Sequence, residues 1–361
     1  MKTNAISQQP AQQQKTKNKG IIRASLAKTA VAIPLSIACP QILKGMQKVS
    51  TLNESDTFQL SKASQKALET TGLKDKGVQI HKLIDFEPKT AKTAEEMFEN
   101  FENLTNYSES EQGALKAAVK AIKSSKIFKF AEKQLQKLYP NREILKEEME
   151  QGAEIGAKIG ILSQVKTGKN AFYLPEAISI ITPTSKFQTS VFHEMGHALN
   201  DNGGIILKSL QKIRPLAKFA PAIIFAISIL NKRKTTDEKL ENNTTKNKIQ
   251  NGFDFIKKNA GKLTALSMLP MVLEEGIATL RGDKIARELV KSGDLTKDLL
   301  KKVRLTNLGG FSTYALALIA AVAGVKTAIR VKDTIQEQYE NKLSQNRFED
   351  RINTKLEAHQ G

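Results

Sequence analysis

Two of the chain's four histidines lie four residues apart, with a glutamate directly after the first, in the segment SVFHEMGHALN. On a helix, positions i and i+4 share one face, so the imidazoles of His193 and His197 can reach one metal ion. Glu194 then points toward the open side of that ion, where a carboxylate can take a proton from a metal-bound water. The spacing therefore predicts a zinc site with hydrolytic chemistry.

A catalytic zinc ion needs a third protein ligand and an open position. Cys39 is the only cysteine, which excludes a cysteine-based site. The other two histidines, His81 and His359, stand alone and are typical of structural or surface histidines. Asn200 and Gly203 occupy the positions where a metzincin would have Gly and His. These exclusions leave a carboxylate from a second helix as the predicted third ligand.

The segment LEEGIATLRGDKIARE, residues 273–288, offers two adjacent glutamates. Glu275 shares a helical face with small residues, which would let its helix lie close to the helix of the histidines. Glu274 falls on another side, near Ile277 and Arg281. We therefore predict Glu275 as the third ligand and Glu274 as a supporting group. The small residues on the face of Glu275 are Ala278, Thr279, Gly282 and Ala286.

The elements around these residues follow from the spacing of apolar side chains. Residues 51–158 have apolar residues at three-to-four spacing and are predicted to be helical. Residues 159–183 are rich in β-branched and aromatic residues and are predicted to form two strands around a turn. The helix with the histidines comes next, after a capping box formed by Ser185 and Gln188, and an Asn-Gly-Gly sequence ends it.

Several apolar segments follow the histidines. Residues 305–325 contain no charged side chain and are long enough to span a bilayer, although a buried helix is the alternative. The shorter segments 216–230 and 263–273 fit a hydrophobic hairpin or two core helices, separated by a polar loop at 231–261. A further helix is predicted at 271–291, and the tail from residue 331 is predicted to be a charged helix.

The net charge of +19 restricts the partners of the chain. Lysines beside apolar segments favour an anionic membrane surface. Nucleic acid is the second interpretation, but aromatic residues make up only 6% and no helix-turn-helix, zinc-finger or RNP-like pattern occurs. We therefore predict a membrane partner, no nucleic acid, and an integral membrane location.

His-Glu-x-x-His followed far downstream by Glu-x-x-Ala resembles the gluzincin metallopeptidases, most closely the membrane-bound prenyl-protein endoproteases and the bacterial heat-shock membrane protease. NAFYLP, Asn170–Pro175, is similar to that group's Asn-Ala-Phe-Ala-Leu-Pro strand, and EGIA, Glu275–Ala278, follows after an apolar pair. The resemblance covers roughly 155–290. Glu176-Ala177 replaces the group's usual Gly-Gly, and Thr279 stands where the group has an Asp. EEGIA is also similar to the Asn-Glu-Gly-Phe-Ala of soluble aminopeptidases.

The resemblance implies a zinc-dependent endopeptidase acting on polypeptide substrates at a membrane. His193, His197 and Glu275 would bind Zn²⁺, and Glu194 would be the catalytic base. The alternatives are a non-catalytic membrane-associated scaffold with a relict zinc site and a basic nucleic-acid-binding protein. Two arginines are candidates for stabilising the oxyanion: Arg281 and Arg304.

The predicted fold class is α+β and mostly α-helical, with a minimal zincin core of short strands, the active-site helix and the helix of the third ligand. Hydrophobic helices, either embedded in a membrane or buried in the protein, accompany this core. The predicted regions are a disordered basic arm with a short apolar segment (1–50), a helical accessory region (51–155), a catalytic region (156–295) that contains the hydrophobic hairpin (212–273), and a hydrophobic helix followed by a charged helix (296–361).

Overall fold

The structure of the chain is a computed structural model, which describes residues 41–360 except 43, 47, 139–141, 185–187 and 232–244. Most of the predicted N-terminal arm lies outside the described residues, as does Ser185 of the predicted capping box. The described residues form two compact units. The first unit contains residues 41–214 and Pro270–Ala315, and the second contains Pro215–Leu269 and residues 316–360.

The first unit contains the strands and most of the shorter helices. Side chains of Asn53 and Thr93 accept hydrogen bonds at the starts of the first two helices, and Ser108 with Glu111 forms a capping box at the start of the third. In chain order the elements are α1 (Glu54–Thr70), β1 (Gln79–Leu83), α2 (Ala94–Thr105), α3 (Glu109–Ser124), α4 (Lys126–Leu138), α5 (Arg142–Ala157), a π-helical turn (Lys158–Leu162), α6 (Ser163–Lys166), β2 (Phe172–Leu174), β3 (Ser179–Pro183), a 3-10 turn (Gln188–Ser190) and α7 (Val191–Asp201).

Three longer helices complete the chain: α8 (Ile205–Leu230), α9 (Thr245–Lys291) and α10 (Lys297–Gln360). Each contributes residues to both units. The predicted loop at 231–261 is wrong from Thr245 onward, because α9 begins there. The separately predicted segments 263–273 and 271–291 form one helix, in which Pro270 removes a backbone donor without ending the helix. The charged tail likewise continues the apolar helix without a break.

The strands form one small sheet with the order β1-β3-β2. β2 and β3 are antiparallel, while β1 pairs with β3 in parallel, with Gln79 opposite Ser179. This mostly helical structure with a three-stranded sheet confirms the predicted fold class. The two strands predicted within 159–183, with a turn between them, are β2 and β3. The start of that segment is helical and not part of a strand. Its Leu162 and Val165 are buried at helical spacing.

β1 lies inside a region that was predicted to be entirely helical. Its sequence, QIHKL, is short and half polar, so it carries little local preference for a strand. Pairing with the fully buried β3, about a hundred residues later in the chain, supplies the hydrogen bonds that an isolated segment lacks. Tertiary contacts therefore decide the conformation of β1.

β3 lies in the middle of the sheet and separates two apolar cores. Ile180 belongs to the first core, together with Phe192 and Met195 of α7. Ile181 points to the opposite face and belongs to the second core, with Leu162 beside it. The first core thus attaches the helix of the two histidines directly to one face of the sheet.

Two of the long helices are long and apolar enough to cross a membrane: Ile249–Lys291 within α9 and Lys297–Phe348 within α10. The number becomes three if the bent pair Ile205–Arg214 and Phe219–Leu230 is counted as one span. The segment predicted to span, 305–325, lies within the second of these helices. The predicted third ligand, Glu275, lies within the first.

α7 and α9 approach each other at two glycines. A Cβ on Gly196 would lie 2.2 Å from the carbonyl oxygen of Ala278, and a Cβ on Gly282 would lie 2.6 Å from that of Phe192. Real Cβ atoms do not come this close to backbone, so only glycine allows these helices to touch. The face of small residues predicted on the helix of Glu275 is therefore the contact face.

Gly196→Ala is expected to destabilise the protein, by roughly 2 kcal/mol or more, because rigid backbone cannot make room for the added methyl group. Gly152→Ala is the matched control, since Gly152 is also helical and nothing lies within 4 Å of its Cβ position. That control should gain about 0.5–1 kcal/mol from helix propensity. Thermal unfolding of both variants in one detergent provides the measurement. Equal melting temperatures for the two variants would contradict the close contact.

Candidate metal centre

α7 holds both histidines in the protein interior. Its apolar side chains Phe192 and Met195 are fully buried in the first core, which fixes the rotation of the helix about its axis. His193, Glu194 and His197 are only 9%, 7% and 2% exposed. A polar side chain is buried at little cost only when it has partners, and the partners come mainly from α9.

Three donor atoms from α7 and α9 converge on one point. The Nε2 atoms of His193 and His197 are 3.1 Å apart. Oε2 of Glu275 lies 3.2 Å from Nε2 of His193 and 3.5 Å from Nε2 of His197. Ligands at about 2.0–2.1 Å from a tetrahedral ion are separated by about 3.3 Å. The three distances match one triangular face of such an ion's coordination shell.

The outward nitrogen of each imidazole contacts a second group. Nδ1 of His197 lies 2.7 Å from Oε1 of Glu274, which also accepts a hydrogen bond from the Asn200 amide at 3.0 Å. Nδ1 of His193 lies 3.2 Å from the hydroxyl of Thr279. Because a carboxylate can only accept, the proton of a neutral His197 resides on Nδ1, and the Nε2 lone pair faces the other donors.

These contacts show which ring each of Glu274 and Thr279 touches. Glu274 contacts the far side of His197, where it orients the ring. Thr279, which stands where the predicted resemblance has an Asp, contacts Nδ1 of His193 through its hydroxyl. A hydroxyl supplies a hydrogen bond there without a negative charge.

Thr279→Val should therefore weaken metal binding about tenfold, since loss of such an outer partner typically costs 10–100-fold. Thr279→Ser keeps the hydroxyl and serves as the matched control, with affinity close to that of the wild type. Competition with a chromogenic zinc chelator measures both constants. An unchanged affinity in Thr279→Val would show that the hydroxyl does not support His193.

Arg214, near the middle of α8, is the residue that the sequence analysis missed. Its guanidinium contacts Oε1 of Glu275, lies 3.4 Å from Oε2 of Glu274 and donates to the Tyr314 hydroxyl at 3.3 Å. Both glutamates are fully buried, so Arg214 places a positive charge between two buried carboxylates. The only sequence signal was that Arg214 and Lys218 are the two charged residues of a mostly apolar stretch, IRPLAKFAPAIIF.

The charges of the site leave room for a divalent cation. Glu194, Glu274 and Glu275 are buried carboxylates, and Arg214 supplies one positive charge. With neutral imidazoles, two negative charges stay uncompensated, which is costly in a buried site. Burial and Arg214 act to lower the pKa of His197, but the two α9 glutamates outweigh them and raise it to about 9. The site therefore favours added positive charge.

Glu194 is anchored by the sheet. Its Oε2 accepts a hydrogen bond of 2.7 Å from the backbone N–H of Tyr173 in β2, and the Tyr173 hydroxyl donates to Asp201 at the end of α7. Burial raises the pKa of Glu194, although the two histidines act in the opposite direction. The NAFYLP segment therefore has a structural function at the site, because its strand positions the carboxylate.

Neither predicted oxyanion arginine contacts these groups among the residues that the structure describes. Arg304 pairs with Asp283 at 3.0 Å. Arg281 lines a cleft of about 690 Å³ together with Leu199 and Asn202. The guanidinium at the site is instead that of Arg214.

His81, which was predicted to be a structural or surface histidine, lies outside this cluster, and the side chain of His359 lies outside the described part of the chain. His81 lies in β1 against Gly113 of α3, and burial lowers its pKa. Two groups within the described part of the chain could hold a metal ion: His193 with Glu194 and His197, and His197 with Glu274 and Glu275. The converging donors of His193, His197 and Glu275 are drawn from both groups. Comparison of the chain with known protein families, curated proteins and solved structures gives no match.

Proposed function

We propose that the chain is a zinc-dependent metalloendopeptidase that hydrolyses peptide bonds at a membrane. The observation that carries the proposal is the convergence of two imidazole nitrogens and one carboxylate oxygen at 3.1–3.5 Å from one another, with Glu194 buried beside them. Two His and one Glu are a typical ligand set of catalytic zinc, which keeps its fourth position for water or substrate.

The donor set favours zinc over other ions. Hard ions such as Mg²⁺ and Ca²⁺ prefer six or more oxygen ligands, whereas this site offers two nitrogens and one oxygen in a compact triangle. Bound by His193, His197 and Glu275, zinc would supply a Lewis acid that lowers the pKa of a coordinated water and polarises the substrate carbonyl.

The other roles in the reaction are those of side chains and backbone groups of the protein. Glu194 accepts the proton of the attacking water and returns it to the leaving amine, acting first as general base and then as general acid. The Tyr173 N–H holds the carboxylate in place during both transfers. Glu274 and Thr279 keep the two rings oriented, and Arg214 fixes Glu275.

A membrane setting is supported by the position of the ligand on its helix. Glu275 lies in Ile249–Lys291, one of the helices that are long and apolar enough to cross a bilayer. The substrates that such an enzyme reaches most readily are polypeptides in or beside the membrane, because the ligand helix is itself apolar enough to enter it.

The test is to measure zinc content and proteolysis of the purified full chain in detergent. One zinc per chain is expected, together with cleavage of an unfolded protein substrate. A chelator should abolish cleavage, and one equivalent of Zn²⁺ should restore it. His193→Ala should lose both metal and cleavage, whereas His81→Ala, the control, should keep both.

Two results would overturn the proposal. Cleavage that persists in metal-free protein would show that the activity does not need the site. Stoichiometric zinc without cleavage of any unfolded or membrane-inserted substrate would favour the alternative of a scaffold with a relict site.

A further inference from the structure

α4, Lys126–Leu138, exposes apolar side chains that nothing in the described structure covers. Ile127, Phe130 and Leu138 are 67%, 64% and 75% exposed. Half-buried Phe128 and Leu135 continue the same apolar face at helical spacing, so α4 packs on the protein along one edge of that face and leaves the other edge open as an exposed apolar strip.

Lysines border this exposed strip. Lys126, Lys129 and Lys133 are exposed, and no ion pair of theirs occurs among the described residues. From Lys116 to Lys137 the chain has seven lysines and a single acidic residue, Glu132.

The basic surface continues from α4 onto α3. A cleft of about 600 Å³ at the exposed side of α3 is lined by Lys116, Lys120 and Lys123, with Glu154 at one side. Lys123 is paired with Glu150 at 2.8 Å, whereas Lys116 and Lys120 are exposed. A positively charged cleft therefore lies on the helix that immediately precedes the amphipathic one.

We propose that α4 lies in the surface of an anionic lipid bilayer. Its apolar strip would enter the boundary between headgroups and acyl chains, as the apolar face of a basic interfacial helix does. The neighbouring lysines, with long aliphatic stems, would reach back to the phosphates and carboxylates of the headgroups. The α3 cleft would accept a headgroup beside the helix.

Two observations select a bilayer over other partners. Exposed isoleucine and leucine gain little from nucleic acid, which is bound by basic and stacking aromatic groups, but they are suited to the acyl boundary. The chain also contains helices that could cross a membrane. Such a tether would keep α4 at a high local lipid concentration, so weak interfacial affinity would be enough.

The experiment places a reporter on α4 in the full chain. Gln134→Cys, which lies between Phe130 and Leu138 on the exposed strip, is made in a Cys39→Ser background, because Cys39 is the only native cysteine. The thiol is labelled with an environment-sensitive dye, and the chain is reconstituted into nanodiscs with spin-labelled quencher lipid. Quenching should be several-fold stronger in discs with 30% phosphatidylserine than in discs of phosphatidylcholine alone, and 0.5 M salt should reduce it.

The combined substitutions Lys126→Gln, Lys129→Gln and Lys133→Gln should remove the effect of the anionic lipid. The matched control makes the same charge change at exposed lysines of the α1 region, Lys62, Lys66 and Lys76, and should keep it. Equal quenching in both kinds of disc would overturn the proposal. So would a dye shift that grows with protein concentration in lipid-free detergent, since a second copy of the chain would then cover the strip.

Discussion

Glu194→Gln is expected to give a folded protein that binds zinc and cleaves peptide bonds about 100–10,000-fold more slowly, the usual contribution of a general base. The amide oxygen of the new side chain can still accept the Tyr173 N–H, so the helix and strand stay joined. None of the three proposed ligand atoms changes. In this variant the zinc content should therefore equal that of the wild type, while the turnover rate falls.

The control for this substitution is Glu176→Gln, which makes the same change at an exposed position in the turn between β2 and β3. It should behave like the wild type in both assays. Cleavage at the wild-type rate by Glu194→Gln would contradict the assignment of the base. Loss of zinc together with activity would show that Glu194 holds the metal and does not act on water.

The centre of the site could be predicted from the sequence because helical geometry is local. Residues four apart on a helix lie on the same face, which was enough to predict that His193 and His197 act together. The small residues after Glu275 likewise predicted the contact face of α9. Gly282 is one of those small residues, whereas the need for glycine at Gly196 follows from the structure. Motif spacing and helix faces need no knowledge of the tertiary structure.

Residues brought to the site by long-range packing could not be predicted. Arg214 comes from α8 and Tyr314 from α10, about a hundred residues apart, and neither belongs to a motif. β1 was missed for the same reason, since its strand conformation depends on β3. Local patterns also predicted helix ends that do not occur. α9 continues through Pro270, and α10 continues into the charged tail.

Glu275→Gln and Glu274→Gln make the same chemical change at adjacent residues, yet they are expected to differ in metal binding. Oε2 of Glu275 is one of the three converging donors, so replacing it with an amide should weaken zinc binding more than 100-fold. Glu274 acts through Nδ1 of His197, and its loss should cost about 10–100-fold, the usual effect of an outer partner. Competition against a zinc chelator of known affinity measures both.

Arg214 makes this pair of variants well matched. Its guanidinium contacts both carboxylates, Glu275 more closely than Glu274, so either substitution removes one negative charge beside the same cation. A difference in zinc affinity then reports coordination and not electrostatics alone. If Glu274→Gln weakened binding more than Glu275→Gln, Glu274 would be the metal ligand and Glu275 the supporting group. The contact of Glu275 with both imidazole nitrogens would then belong to the metal-free protein.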